Sequence, residues 1–245
     1  MNRYKILNTF VDQISTNELN KVIVNSIKKS EKKIIGNLNI NAANLCLENK
    51  VMAKFNDASS IIFCDGAGIQ LACKFLGYYP IPEKITYNTW IPNLLKFIEN
   101  KDIRVFILGS TEEVNKKAMD KIKNIHPKIE INGHHGYFDK KGEDNNRIIA
   151  NINDFKADIL IVGFGMPLQE EWILNNFDKI NAKIFLNGGA YLDWYTGKFK
   201  QCPQLISDIG LEWLWRLFLE PKRLFNRYLI GNFTFYYRLF LNKVS

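Results

Sequence analysis

Five short apolar runs alternate with stretches of helical periodicity along most of the chain. Each run is followed at once by Asn, Asp or Gly. The runs are Lys33–Gly36, Ile61–Cys64, Arg104–Leu108, Ile159–Val162 and Lys183–Leu186. Apart from the Lys or Arg that begins three of them, the runs are apolar. Such runs are typical of strands buried on both faces, and strands that alternate with helices form parallel sheets. The pattern therefore predicts an α/β fold with a mostly parallel, doubly wound sheet.

A doubly wound sheet of this kind is Rossmann-like, and such sheets bind ligands beyond the carboxyl ends of their strands. The residues that directly follow the apolar runs are therefore the first candidates for a site. They include Asn37 and Asn39, Asp65 with its glycines, and the turn from Gly163 to Gln169.

The last seventh of the chain differs in character from the rest. Residues 211–245 hold ten of the 32 aromatic residues, and six Lys or Arg against two Glu. We predict a Rossmann-like catalytic core over residues 1–195 and a basic, aromatic helical appendage over residues 196–245, which serves membrane and diphosphate contact. Pro221 is expected to be the first residue of a new helix, where its missing N–H costs nothing.

Composition narrows the class of protein. The formal net charge of +8 suggests polyanionic partners, which include anionic lipid, nucleic acid and phosphorylated small molecules. No Cys-x-x-Cys pair, signal peptide or run of about 20 apolar residues occurs. We therefore expect a reduced, cytoplasmic protein that meets the inner face of the cell membrane only peripherally. No cofactor and no metal are expected, because the metal-binding Asp-x-Asp motif of many nucleotide-sugar enzymes is also missing.

Several turns have competing interpretations. Position alone favours Asp65 as a helix N-cap over a ligand-binding carboxylate. Gly163 and Gly165 suit a phosphate-binding helix start and a tight turn equally well. At the turn after Leu108, a capping box of Ser110 and Glu113 is favoured over phosphate binding.

Arg216, Arg223 and Arg227 are spaced by seven and four residues. On one continuous helix they would fall within about 40° of each other. An arginine row opposite an apolar, aromatic face is typical of a helix that binds a diphosphate or lies on anionic lipid. A core-packed helix with a solvated basic face is the alternative.

Six motifs in order resemble the WecG/TagA/CpsF glycosyltransferases, also called glycosyltransferase family 26, from about Ile6 to Gly231. The motifs are Asn37-Leu38-Asn39, Asp65-Gly66-Ala67-Gly68, Pro82-Glu83-Lys84, Gly163 to Glu170, Leu211-Glu212-Trp213 and Glu220-Pro221-Lys222-Arg223. Each motif alone is modest, whereas six at compatible spacing are specific.

The resemblance implies an inverting transferase in the synthesis of a bacterial surface polysaccharide. It would move N-acetylmannosamine, or a related hexose derivative, from a UDP-sugar to an undecaprenyl-diphosphate-linked sugar. The resemblance assigns Asp65 as the base, and it implies that Asn37, Asn39, Gly163, Gly165 and Gln169 bind substrate with Lys84 near the donor. The three arginines would then offset the charge of the departing UDP.

Two other classes compete with this hypothesis. A non-enzymatic basic adaptor for lipid or nucleic acid would explain the charge and the aromatic tail. No nucleic-acid motif is present, however, and we expect no nucleic-acid partner. A dinucleotide-binding oxidoreductase is disfavoured because Gly66 and Gly68 are followed by Leu71 rather than by a third glycine. Homo-oligomer formation stays open.

Overall fold

The computed structural model describes residues 1–200 and 202–244, except for the side chains of Gln204, Asp208 and Val244. The described residues form eight strands: β1 Arg3–Ile6, β2 Thr9–Asp12, β3 Lys33–Leu38, β4 Ile61–Cys64, β5 Arg104–Gly109, β6 Glu130–His134, β7 Ile159–Gly163 and β8 Ile184–Asn187. The helices before the last quarter are α1 Thr16–Lys28, α2 Ile40–Glu48, α3 Lys50–Ala58, α4 Ala67–Phe75, α5 Tyr87–Ile98, α6 Glu112–Ile125, α7 Gly142–Asp154 and α8 Leu168–Asn176. The helices that follow are α9 Tyr191–Tyr195, α10 Gln204–Asp208, α11 Glu212–Leu219, α12 Pro221–Phe225, a π-helical segment Asn226–Ile230, and α13 Gly231–Val244.

Six strands form one sheet in the order β4-β3-β8-β7-β5-β6, and β1 pairs with β2 in a separate antiparallel hairpin. The pairs β3/β8, β8/β7, β7/β5 and β5/β6 are all parallel. The prediction of a Rossmann-like α/β fold with a mostly parallel sheet is confirmed. All five predicted strands are present, whereas the hairpin and the edge strand β6 were not predicted.

The chain divides into two compact units, each built from separate segments of the sequence. The first unit comprises Met1–Ser15, Asn37–Thr86 and Lys200–Ser245, and the second comprises Thr16–Gly36 and Tyr87–Phe199. The C-terminal segment is helical, but it clusters with residues 37–86 rather than by itself. Within the predicted appendage, Gln201 and Ser245 lie outside the described residues. The roles predicted for the two parts of the chain stay predictions.

The first unit ties its N-terminal hairpin to β4. Asp12 at the end of β2 is fully buried, and Arg3 donates to its two carboxylate oxygens at 2.7 and 2.8 Å. The backbone N–H of Ile62 also donates to Asp12 Oδ2, at 2.7 Å. Since a buried charge is tolerated only when paired and hydrogen-bonded, these contacts hold β4 against the hairpin. The first candidate site residue, Asp65, follows directly after this strand.

The last helix, α13, contributes to the interior of the first unit. Phe235 and Leu239 are 0% and 1% exposed. Asn44 of α2 donates to the carbonyl of Gly231 at 2.8 Å and accepts from Arg238 at 3.1 Å. Removing this helix would therefore expose apolar side chains that the unit buries.

The C-terminal helices are interrupted, which changes the predicted arginine row. Helix α11 ends before Glu220, whose φ of −136° and ψ of 60° are not helical, and α12 begins at Pro221 as predicted. Arg216, Arg223 and Arg227 thus lie on α11, α12 and the π-helical segment respectively. The single helical wheel is wrong, because proline cannot continue the hydrogen bonding of the preceding helix.

In the second unit, glycines allow close approach of the strand ends. A Cβ on Gly109 would lie 2.5 Å from the carbonyl oxygen of Gly163, and one on Gly163 would lie 2.5 Å from that of Gly189. The predicted capping box is wrong, because Thr111 is the N-cap of α6 while Ser110 has a φ of +58°. The left-handed turn at Ser110 shifts the helix start by one residue.

Candidate active site

Asp65 lies at the carboxyl end of β4, where the chain turns into α4. Its backbone N–H donates to the carbonyl of Leu38 at 2.8 Å. The N-cap of α4 is Gly66, whose φ of +100° and ψ of 153° are essentially restricted to glycine, and no side chain caps this helix. The capping role that position alone favoured for Asp65 is therefore wrong.

Two asparagines hold the Asp65 carboxylate. Asn37 Nδ2 donates to Asp65 Oδ2 at 2.7 Å, and Asn39 Nδ2 donates to the same oxygen at 3.0 Å. Asn39 is itself fixed as the N-cap of α2, where its Oδ1 accepts from the N–H of Ala42 at 3.0 Å. The end of β3 and the end of β4 thus place these three predicted residues together at one edge of the sheet.

The pKa of the Asp65 carboxyl is raised above its ordinary value, and burial is the largest cause. The Glu212 carboxylate also raises this pKa. The Asn39 amide, the positive charge of Arg216 and the Asn37 amide lower it. A carboxylate with a raised pKa is a stronger base than a solvated aspartate, so the site favours proton uptake at Asp65.

Asp65 opens into a cavity of about 400 Å³ within the first unit. This volume lies within the range of small-molecule sites. Its polar lining residues are Asn39, Asn41, Asp65, Lys84, Thr86, Glu212, Arg216, Arg227 and Asn232. Its apolar wall, as we call the apolar and aromatic lining side chains together, comprises Ile40, Ala67, Leu71, Trp213, Tyr228, Leu229 and Tyr236. A cavity lined by both charged and aromatic groups suits a ligand that has both polar and apolar parts.

Two of the three predicted arginines line this cavity. Arg216 Nη2 donates to Glu212 Oε1 at 2.5 Å, one helical turn away. The buried Nε of Arg227 makes no hydrogen bond within the described part of the chain. Arg223 differs, because it pairs with Glu220, its side chain is 60% exposed, and it is not among the lining residues. The structure therefore groups Arg216 and Arg227 with Asp65 and leaves Arg223 outside the cavity lining.

Lys84 lines the same cavity and also fastens α10. Its Nζ donates to the carbonyl oxygen of Ser207 at 2.7 Å and to Ser207 Oγ at 3.2 Å. The lysine therefore positions the C-terminal end of a short helix beside the cavity. Contact of Lys84 with a donor sugar stays a prediction.

Gly163, Gly165 and Gln169 belong to the second unit, where Gln169 is fully buried. Its Oε1 accepts from the N–H groups of Gly165 and Gly189, both at 3.1 Å. Its Nε2 donates to Glu170 Oε1 at 2.8 Å. These bonds occupy the backbone N–H groups of Gly165 and Gly189 with a side chain of the protein itself, which is typical of a tight turn. The substrate contacts predicted for these three residues stay predictions.

The buried pair of Glu170 and Asn187 was not assigned a role in the site from the sequence, although Asn187 directly follows the last apolar run and Glu170 ends the motif that begins at Gly163. Asn187 Nδ2 donates to Glu170 Oε1 at 2.8 Å, and Asn187 Oδ1 accepts from Tyr87 at 3.0 Å. Burial raises the pKa of the Glu170 carboxyl. Glu212 was also missed as a site residue, although its position four residues before Arg216 is a sequence signal for a helical ion pair.

No group of three or more His, Cys, Asp or Glu residues suited to a metal ion occurs in the described ranges 1–200 and 202–244. His134 Nδ1 lies 2.9 Å from the carbonyl oxygen of His135. The expectation that the reaction needs no metal stays a prediction. Separately, none of the helices formed by the described residues is both long enough and apolar enough to cross a membrane.

The model of the glycosyl transferase WecG/TagA/CpsF family matches residues 4–245. The chain belongs to the WecG/TagA/CpsF family. Two curated relatives are the N-acetylglucosaminyldiphosphoundecaprenol N-acetyl-beta-D-mannosaminyltransferases of Staphylococcus aureus strains MRSA252 and NCTC 8325. Each is 31% identical to this WecG/TagA/CpsF member over 169 residues, which is 69% of the chain and 65% of the relative. The aligned region thus spans slightly less than two thirds of the relatives' length.

Proposed function

We propose that this protein is an inverting glycosyltransferase that moves a sugar from a UDP-sugar to an undecaprenyl-diphosphate-linked acceptor. The observation that carries the proposal is the Asp65 carboxylate, held by two amides in a cavity that also presents Arg216 and Arg227. Family membership supports glycosyl transfer. The names of the two relatives support N-acetylmannosamine, or a related hexose derivative, as the sugar and a diphosphoundecaprenol as the acceptor.

Asp65 would act as the general base. The hydrogen bonds from the two asparagine amides both end on Asp65 Oδ2, so Oδ1 is the oxygen that would take the proton from the acceptor hydroxyl. The acceptor oxygen then forms a bond to the anomeric carbon while the bond from that carbon to the UDP oxygen breaks. One displacement of this kind inverts the anomeric configuration, and a single carboxylate is sufficient as base.

Arg216 and Arg227 would stabilise the departing UDP. The diphosphate gains negative charge as its bond to the sugar breaks, and fixed cations lower the energy of that charge in a partly dry cavity. The buried Nε of Arg227 has no hydrogen-bond acceptor within the described residues, which supports Arg227 as a donor to the diphosphate. Arg216 is held in place by Glu212, so its guanidinium is ordered before the substrate arrives.

We further propose that the protein works at the inner face of the cell membrane. Its C-terminal segment exposes large aromatic side chains, among them Phe218 at 80% and Phe233 at 75%. Six basic against two acidic residues occur after residue 210. Interfacial helices bind by combining apolar insertion with attraction to anionic lipid, so this composition fits peripheral association.

The test is transfer from a panel of nucleotide sugars to a synthetic N-acetylglucosaminyl-diphosphate lipid, with the product identified by mass spectrometry and its anomeric configuration by NMR. We expect UDP release that depends on the acceptor, and a product larger by one sugar with inverted configuration. UDP release at the same rate without acceptor would identify a hydrolase. Binding to anionic vesicles with no turnover of any nucleotide sugar would favour the adaptor alternative.

A further inference from the structure

One exposed stripe of α4 and one of α13 lie side by side. On α4, Gly68, Leu71 and Phe75 fall at spacings of three and four, beside the face that carries the buried Ile69, Ala72 and Cys73. On α13, Tyr236, Phe240 and Lys243 fall at spacings of four and three, beside the buried Phe235 and Leu239. Residues at these spacings share one face of a helix.

Contacts at both ends fix the alignment of the two stripes. At the first end, Tyr236 Oη donates to the carbonyl of Gly68 at 3.1 Å. At the other end, the Lys243 ammonium donates to the carbonyl of Phe75 and lies 4.3 Å from the centre of its ring. The two helices therefore run in the same direction for seven residues, which is about 10 Å at the rise of an α-helix.

Between these contacts, the stripes present apolar side chains to the outside. Leu71 is 58% exposed, Phe75 41% and Phe240 55%. A continuous patch of exposed apolar side chains costs free energy in water, and such a patch often marks a binding surface. We call the surface formed by Leu71, Phe75, Tyr236 and Phe240 the α4–α13 groove. The groove begins at the cavity, because Leu71 and Tyr236 also line the cavity.

We propose that the α4–α13 groove binds the first isoprenyl units of the acceptor's polyprenyl chain. This inference rests on the proposed function, because it assumes a diphosphate-linked prenyl acceptor in the cavity. The chain is attached to the diphosphate, so it must leave the cavity through an apolar exit. The groove supplies that exit, since it is continuous with the apolar wall and is walled by aliphatic and aromatic side chains over the length of a few isoprenyl units.

A chain-length series tests the groove without a membrane. The acceptors are N-acetylglucosaminyl-diphosphates that carry one, two or three isoprene units, assayed below their micelle concentrations and without detergent or vesicles. For the wild-type protein we expect KM to fall on the order of tenfold from the shortest to the longest chain, because each added apolar group is withdrawn from water. Phe75→Ser and Phe240→Ser should flatten this dependence. Phe218→Ser is the matched control, since Phe218 is an exposed aromatic of α11 that belongs to neither stripe and does not line the cavity, so this variant should keep the dependence.

A second measurement does not depend on variants. A prenyl diphosphate with a photoreactive terminal group should label peptides from α4 and α13, and excess unlabelled acceptor should prevent the labelling. Labelling elsewhere, or full chain-length dependence in both groove variants, would overturn the proposal. If the variants changed only vesicle binding, the surface would belong to the bilayer and the proposal would be overturned. If they changed only the sedimentation coefficient, the surface would bind a second copy of the protein, and the proposal would be overturned as well. If the wild-type protein transfers to no acceptor, the proposed function fails, and the labelling pattern then decides the groove by itself.

Discussion

Asp65→Asn separates the chemical role of the carboxylate from its structural role. The new side chain has nearly the same shape, and its oxygen can still accept from the amides of Asn37 and Asn39, now 2.7 and 3.0 Å from Asp65 Oδ2. The amide cannot take up a proton. We therefore expect kcat/KM to fall by about 10²- to 10⁴-fold, the range for loss of a general base. That loss corresponds to about 3 to 5.5 kcal/mol of transition-state stabilisation.

The same substitution should not destabilise the protein at neutral pH. Burial raises the pKa of Asp65 in the folded state, so the folded protein holds this proton more tightly than the unfolded chain does. The contribution of Asp65 to stability is then most favourable below the unfolded pKa, about 3.9, and is lost as pH rises through the folded pKa. Asn has no ionisation to oppose, so the variant should unfold at or above the wild-type temperature at pH 7, and any gain should disappear near pH 4.

The assay combines initial rates on one acceptor with thermal unfolding at both pH values. Asp57→Asn is the matched control, because Asp57 is an exposed aspartate of α3 outside the cavity lining and should change neither quantity. Turnover close to wild type in a folded Asp65→Asn protein would refute the assignment of Asp65 as base. A marked drop in unfolding temperature at pH 7 would instead show that the charged form stabilises the fold.

Three further predictions concern the leaving group, the metal and the second unit. Arg227→Gln should lower kcat about 10²-fold or more, the scale for losing one group that stabilises developing charge, whereas Arg223→Gln should change kcat little. Equal effects of the two variants in steady-state kinetics would contradict the placement of Arg227 in the site and of Arg223 outside it. Activity should survive dialysis against EDTA, and loss that added Mg²⁺ or Mn²⁺ restores would show that side chains alone do not neutralise UDP. Glu170→Gln should stabilise the protein increasingly as pH rises above the ordinary glutamate range, because burial raises the pKa of Glu170 and the ionised form is the costly one. Urea unfolding at about pH 5 and pH 8.5 measures this, and a pH-independent loss would argue against it.

Local patterns were sufficient for most of the sheet. The five predicted strands are apolar on both faces, so each could be recognised from its own residues. Strand β6 was missed because only Ile131 of its five residues is buried, as fits a strand at the edge of the sheet. The hairpin was missed because each of its strands is only four residues long. In addition, β2 buries the polar residues Thr9 and Asp12, which an apolar pattern does not reveal.

The sequence by itself determined which residues stand at strand ends, and that placed Asn37, Asn39 and Asp65 at one edge of the sheet. It also determined the helix break at Pro221, since proline acts through its own ring. These outcomes depend on residues close together along the chain.

Only the tertiary structure decided which candidates share a cavity. Arg227 and Arg223 look alike in sequence, yet the break before Pro221 and the π-helical segment leave one lining the cavity and the other paired with Glu220. Gln169 resembles a ligand-binding residue, but packing buries it and its neighbours use both ends of its amide. The raised pKa of Asp65 likewise depends on burial by segments far apart in the chain. Burial and long-range pairing are properties of the packed chain, so no local pattern specifies them.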